Sequence, residues 1–282
     1  MINIPGLRNL EKIGSGGFGT VYRAYQEALG RQVAVKVINL RNPPEEVYRR
    51  FKRECEALGK LDRHHNIVSV FLADITADDK NPYIVMEYLP NGSLADRGIR
   101  QWPDVVEIGV KLAGALQAAH DAGVLHRDIK PDNVLVDHAG EPKLADFGIA
   151  LLEEEVKHSS SVGTPDYMAP ELLDGTPHTR AADIYSLGAT LFCLLAGHPP
   201  FRRPTDQTKN PFVFQLELAR RMREDPVPDL RPEVPDRLCA VLEKAMAKRP
   251  VGRFQSAAEL EEAIRGVSPL PSGPPPHPPR WR

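Results

Sequence analysis

The sequence predicts an α+β chain of two lobes, a small antiparallel sheet carrying one helix followed by a mainly helical half. Three observations carry this expectation. The spacing of apolar residues changes from two to between three and four near Gly92, and a single charged segment with helical spacing interrupts the first half. The length, 282 residues, exceeds a minimal domain and falls short of two ordinary ones, which suits a single large domain or two lobes sharing one cleft.

From Leu10 to Leu89 the apolar pattern is short and alternating, with Val33, Val35 and Val37 set against Ala34, Lys36 and Ile38. Between Pro44 and Leu61, Val47, Phe51, Glu54 and Leu58 recur at steps of three and four, the spacing of an amphipathic helix among the strands. After Gly92, Val105, Ile108, Leu112, Leu116 and Ala119 keep helical steps, and Tyr185 to Ala196 is apolar enough for a buried helix. Ser256 and Glu259 fit a capping box that opens a last helix through Ile264, which Gly266 and the following prolines end. The 27 prolines crowd the end, where Pro269 to Arg282 reads PLPSGPPPHPPRWR, an extended flexible tail. The expected divisions are an N-terminal extension over 1–9, a first lobe and hinge over 10–89, a second lobe over 90–266 and the proline-rich tail over 267–282.

Composition narrows the function classes. Lys and Arg (36) nearly cancel Asp and Glu (38), so no global field draws the chain to nucleic acid or to a membrane surface. Cys55, Cys193 and Cys239 are far apart and form no CxxC pair, which suggests neither a disulfide framework nor a zinc site. The N-terminus lacks a secretory pattern, and no stretch approaches the roughly 18 uninterrupted apolar residues of a membrane span. A cytoplasmic location is the expectation.

Gly14-Ser15-Gly16-Gly17-Phe18-Gly19 matches GxGxxG, a string that opens dinucleotide-binding units and also covers nucleotide phosphates in other folds. A dinucleotide unit requires a helix after the glycines, whereas Thr20 to Ala24 and Gln32 to Ile38 read as two strands, with Val21 extending the motif. A strand–loop–strand lid fits better, its glycines letting backbone N–H groups approach phosphate oxygens. Lys36 ends a strand and shares a face with Ala34. Such a lysine is ordinarily a solvated edge charge; the alternative is a phosphate ligand positioned by a carboxylate, for which Glu54 is the candidate.

The segment His126-Arg127-Asp128-Ile129-Lys130-Pro131-Asp132-Asn133 is followed, 18 residues after Asp128, by Asp146-Phe147-Gly148. Together these supply a base, a cation and two magnesium ligands at the spacings phosphoryl transfer requires. With Met86-Glu87-Tyr88-Leu89, Gly163 to Glu171, Asp183-Ile184-Tyr185-Ser186-Leu187-Gly188, Gly197 to Phe201 and Arg253, the chain resembles the eukaryotic-like Ser/Thr protein kinases of bacteria. The resemblance spans nearly the whole chain and implies the two-lobed protein-kinase fold, an N-lobe antiparallel sheet with one helix and a mainly helical C-lobe.

It further implies an enzyme that moves the γ-phosphate of MgATP to Ser/Thr hydroxyls of protein substrates, with Mn²⁺ as an alternative metal. Asp128 would accept or orient the hydroxyl proton, Lys130 would stabilise the moving phosphoryl group, and Asn133 and Asp146 would hold the metal. Lys36, paired with Glu54, would hold the α- and β-phosphates beneath the lid of Gly14, Ser15, Gly16, Gly17, Phe18 and Gly19. Ile13, Val21, Ala34, Met86 and Leu135 would sandwich adenine, with the Glu87 carbonyl and the Leu89 N–H reading its edge. Arg127 before the base implies autophosphorylation of the activation loop at Ser159, Ser160 or Ser161, in a transient homodimer, although Leu151 and Glu153 to Glu155 depart from that pattern. Glu171 and Arg253 resemble a buried pair that anchors the activation segment. Two competing readings are a small-molecule phosphotransferase, whose relatives usually lack the Ala169-Pro170-Glu171 segment, and an ATP-binding scaffold without turnover.

Overall fold

A computed structural model describes residues 3–16, 19–40, 43–61, 64–78, 80–98, 101–147, 165–203, 206 and 210–267. Gly17, Phe18, Gly148, Ile149, Leu151, Glu153 to Glu155, Ser159 to Ser161, Thr164 and the tail from Pro269 lie outside the described residues. No described helix is long and apolar enough to cross a membrane.

The first half is a five-stranded antiparallel sheet in the order β1-β2-β3-β5-β4, formed by β1 (Leu7–Gly16), β2 (Gly19–Gln26), β3 (Arg31–Ile38), β4 (Val70–Ile75) and β5 (Pro82–Glu87). The alternation read in β3 distributes its residues between two cores. Val33, Val35 and Val37 pack with Ile4, Ala24, Tyr83 and Val85 on one face, while Ala34 and Ile38 pack with Phe51, Ile84 and Met86 on the other. β3 is central, so both of its faces are buried, and Lys36 is carried into the interior at 8% exposure. The sheet begins at Leu7, earlier than the expected Leu10, because Ile4 joins its outer core.

The helix expected between Pro44 and Leu61 is α1 (Glu45–Gly59), with Val47, Phe51 and Leu58 buried. Leu58 belongs to the core of the second lobe, together with Leu144 and Phe147, so α1 links the two. Gly19 is fixed by a close approach: a Cβ there would stand 2.4 Å from the Val37 carbonyl oxygen on β3.

The second lobe is built on α2 (Trp102–Asp121), α3 (Arg180–Ala196), α4 (Pro211–Glu224), α5 (Asp236–Ala245) and α6 (Ala257–Arg265), with a small hairpin of β6 (Val134–Val136) and β7 (Pro142–Leu144) at the cleft. Every α2 residue named from spacing is buried, and α3 is buried almost all round, as a central helix must be. Ser256 caps α6 by accepting from Glu259 N at 3.1 Å. The Glu259 carboxylate, however, reaches Gln255 N at 2.9 Å, one residue further out than the reciprocal half of a capping box.

Gly188 is where α3 crosses α5: a Cβ would meet the Ala245 Cβ at 2.9 Å and Met246 at 3.2 Å. Gly188→Leu should therefore lower the unfolding free energy by about 1–3 kcal/mol in urea titrations, the usual cost of overpacking. Unchanged stability would mean that the crossing is looser than its geometry.

Candidate active site

Several of the residues that the sequence singled out come together where the two lobes meet, while Gly17 and Phe18 lie outside the described residues. Gly14 pairs with Val21, Ser15 with Thr20 and Gly16 with Gly19 across the β1–β2 hairpin, which is the expected strand–loop–strand lid. Val21 pairs with Lys36 and Ala34 with Met86 along neighbouring strands. Ala34, Met86 and Leu89 share one buried cluster, against which Leu135 of β6 packs. Ile13 does not join it and stands 47% exposed on β1.

Glu87 ends β5 and is held twice, its N–H donating to the Ser69 carbonyl at 3.0 Å and its carboxylate accepting from Lys143 Nζ at 2.8 and 3.1 Å. Lys143 lies on β7, whose Leu144 bonds Asn66 and Val68 of the first lobe. These contacts tie the hinge to the floor of the cleft.

Lys36 meets a second carboxylate besides the one expected. Its Nζ donates to Asp146 Oδ2 at 2.8 Å. Glu54 sits half-buried on α1. The backbone of Asp146 is left-handed (φ 64°), a conformation that carries its side chain to the lysine.

Asp128 sits in the segment that follows α2. Lys130 Nζ and Asn133 Nδ2 both donate to Asp128 Oδ2, at 2.7 and 2.8 Å, and Asn133 Nδ2 also reaches the Asp128 carbonyl at 2.7 Å. Burial opposes the charge on Asp128, but Lys130 and Asn133 outweigh it and hold the carboxyl below its ordinary range. It is a carboxylate at neutral pH. The preceding Arg127 is also left-handed (φ 72°), strain costing about 1–3 kcal/mol that the surroundings must offset.

What holds this backbone is Asp183, a fully buried carboxylate on α3. It accepts from the N–H of His126 and of Arg127, both at 2.9 Å, and from Nε2 of His120 and of His178, at 2.9 and 2.8 Å. A carboxylate only accepts, so both imidazoles carry their proton on Nε2. Burial works against ionisation of Asp183, yet the bonds from His120 and His178 hold its carboxyl well below the usual range. His126 is the opposite case: burial lowers its pKa, it is neutral, and its Nδ1 accepts from Asp128 N at 3.3 Å. Its ring lies 4.4 Å from that of Phe147.

Arg253 meets Glu171 through two bonds, at 2.7 and 2.6 Å, and gives its other donors to the carbonyls of Ala181, Ala247 and Lys248. All five N–H groups of a buried guanidinium are thereby satisfied, and the anchor expected from the sequence is formed.

The protein kinase domain family matches residues 7–263. The chain belongs to the protein kinase family. Over 278 residues it is 43% identical to the serine/threonine-protein kinase PknK of Mycobacterium tuberculosis, a match covering 94% of this chain and 24% of that protein. It is 36% identical to the serine/threonine-protein kinase PrkC of Bacillus subtilis, over 91% of this chain and 39% of that one. The chain thus spans about a quarter of PknK and less than half of PrkC. Among solved structures, the Mycobacterium tuberculosis PknI kinase domain is similar with a TM-score of 0.69 at 29% identity, covering 95% of this chain and 98% of that one. The two-lobed kinase fold is as expected, and family membership implies ATP and a divalent metal.

The residues fit such a metal. No group of three or more His, Cys, Asp or Glu able to hold one stands among the described residues. Asp146 offers a carboxylate, and Asn133, whose amide nitrogen is committed to Asp128, offers its amide oxygen. One or two oxygen ligands completed by phosphates is the manner of Mg²⁺.

Sequence reasoning quoted Asp183 within a motif but gave it no role, and it passed over Lys143 and His178. The available signal for Asp183 was a lone carboxylate near the start of an otherwise apolar helix. Asp183→Asn should cost about 3–5 kcal/mol in urea unfolding, since it puts an amide donor against two of the four donors in a buried network. The native pKa of Asp183 is depressed, so its contribution is present above the unfolded value near 3.9 and is lost as pH falls through the lower native pKa. The variant should accordingly lose less stability than the wild type below about pH 4. Equal acid sensitivity of the two would contradict this assignment.

Proposed function

We propose that this domain transfers the γ-phosphate of MgATP to serine and threonine hydroxyls of protein substrates. The observation that carries the proposal is the joint placement of Lys36, Asp128, Lys130, Asn133 and Asp146 in one cleft, with Asp128 ionised and Lys130 bonded to it.

In this reading adenine lies among Val21, Ala34, Met86 and Leu135, with the Glu87 carbonyl and Leu89 N–H at its edge and Ile13 at the mouth. The glycine-rich hairpin covers the phosphates, and Lys36 holds two of them. Lys36 and Asp146 neutralise each other; phosphate oxygens compete for the lysine and a cation for the carboxylate, so binding exchanges one pair for two. Bound Mg²⁺ supplies charge neutralisation on the β- and γ-oxygens. Glu54 is kept as the carboxylate that receives Lys36 from the α1 side.

Asp128 has one oxygen occupied by Lys130 and Asn133, which leaves Oδ1 for the acceptor hydroxyl. With its pKa held low it is a weak base, so its contribution is to orient that hydroxyl and to take the proton late, while Lys130 offsets charge on the phosphoryl group. Glu171 and Arg253 hold the segment before α3 where a polypeptide acceptor would rest, a feature that favours protein over small-molecule substrates.

We further propose autophosphorylation of Ser159, Ser160 or Ser161 between two transiently associated copies. Arg127 supports it: its Nη1 is buried with no hydrogen-bond partner among the described residues, a donor suited to a phosphate.

Radiolabelled ATP, Mg²⁺ and a generic acceptor protein test the reading. Asp128→Asn should lower kcat by about 10²–10⁴-fold with little change in the KM for ATP, and chelation of the metal should abolish transfer. Equal turnover by wild type and Asp128→Asn would overturn the assignment. Mass spectrometry of the wild type should find phosphate within 159–161, accumulating at a rate that rises with the square of protein concentration; a first-order rate would exclude exchange between copies.

A further inference from the structure

His178 lies between the turn Pro170–Asp174, which carries the anchored Glu171, and Thr179, the residue that immediately precedes α3. Its side chain is 11% exposed, and its Nε2 stands 2.8 Å from Asp183 Oδ1. That same oxygen takes the N–H of Arg127 at 2.9 Å, while Oδ2 takes His126 and His120. Two residues on, Arg180 donates to the His120 carbonyl at 2.7 Å. The stretch from 178 to 180 therefore clasps both the buried carboxylate and the end of α2.

Sharing Oδ1 has a geometric consequence. A carboxylate rotates about its Cβ–Cγ bond unless donors fix both oxygens, and the direction of each lone pair decides where a backbone N–H can be received. His178 supplies the side-chain donor on the oxygen that Arg127 uses, as His120 does on the other. Arg127 is left-handed, and Asp128 follows it directly, so a tilt of the carboxylate passes to the catalytic side chain through one peptide.

We propose that His178 is a positioning residue for phosphoryl transfer: it fixes the rotation of the Asp183 carboxylate, and through Arg127 N–H the placement of Asp128. This rests on the kinase reading above and adds to it a coupling. The residue that sets the catalytic backbone belongs to the stretch leading out of the segment anchored by Glu171, so displacement of that segment is felt at Asp128. The effect falls on the chemical step, because His178 lies in neither the hinge nor the lid.

The test uses His178→Phe, which keeps the bulk and loses the donor, and His178→Gln, whose amide nitrogen can reach the place of Nε2. The readouts are amide hydrogen exchange at residues 126–128, which needs no turnover, and steady-state transfer. For His178→Phe the expected result is faster exchange confined to 126–128 and kcat reduced about tenfold or more, with the KM for ATP within about twofold of wild type. His178→Gln should restore both. Wild-type protection and kcat in the Phe variant would overturn the proposal, as would a loss of protection spread over the whole second lobe that Gln does not repair. A wild type that keeps its 126–128 amides protected in a His178-dependent way but transfers no phosphate would count against the kinase reading, while supporting the positioning of Asp128.

Discussion

The carboxylate of Asp183, sealed in the helical lobe, holds the backbone on which the catalytic arrangement is built. Two peptide N–H groups, of His126 and Arg127, end on it, and a left-handed Arg127 is tolerated because that bond and its neighbours over-determine the conformation. A buried charge is costly unless paired and hydrogen-bonded, and here each oxygen takes one imidazole and one peptide. The result is a rigid carboxylate at the base of a loop whose functional side chains point the other way, into the cleft. Rigidity of this kind is what positioning catalysis requires, since a small displacement of a reacting group costs more than most lost contacts.

Above that base, the cleft joins parts from both lobes. β3 brings Lys36 through the interior of the sheet, and Asp146 comes from the segment after β7 to meet it. β7 also carries Lys143 to Glu87, so the strand that leads to Asp146 braces the hinge. Phe147, whose ring lies tilted against that of His126, belongs to the same core as Leu58 of α1. α1 is thereby packed to Phe147, next to the residue whose carboxylate meets Lys36. On the far side, Arg253 fixes Glu171, so the segment leading to α3 starts from a saturated, buried anchor.

Much of this was legible in the sequence, and the divide follows the range of the interaction. Periodicity placed α1 at Val47, Phe51 and Leu58 and α2 at Val105 to Ala119, because amphipathic burial repeats locally. The motif set located the cleft, because phosphoryl transfer needs particular side chains at particular separations. The bond from Lys36 to Asp146 was not legible, because it depends on the backbone torsion at Asp146. The demand on Gly19 was also read differently. Its proximity to Val37 O requires the glycine, independently of any phosphate. Asp183 and His178 escaped because their meaning lies in bonds to residues 56 to 63 positions away, or in one oxygen shared with such a bond. No local pattern encodes that.

The most direct test of the account is a crystal structure of the domain with Mg²⁺ and a non-hydrolysable ATP analogue. The account predicts adenine against Ala34, Met86 and Leu135, Lys36 moved from Asp146 to phosphate oxygens, the cation on Asp146 and Asn133, and the backbone at Arg127 unchanged upon Asp183. An analogue bound outside this cleft, or inside it with Lys36 still on Asp146 and the cation held by neither residue, would contradict it.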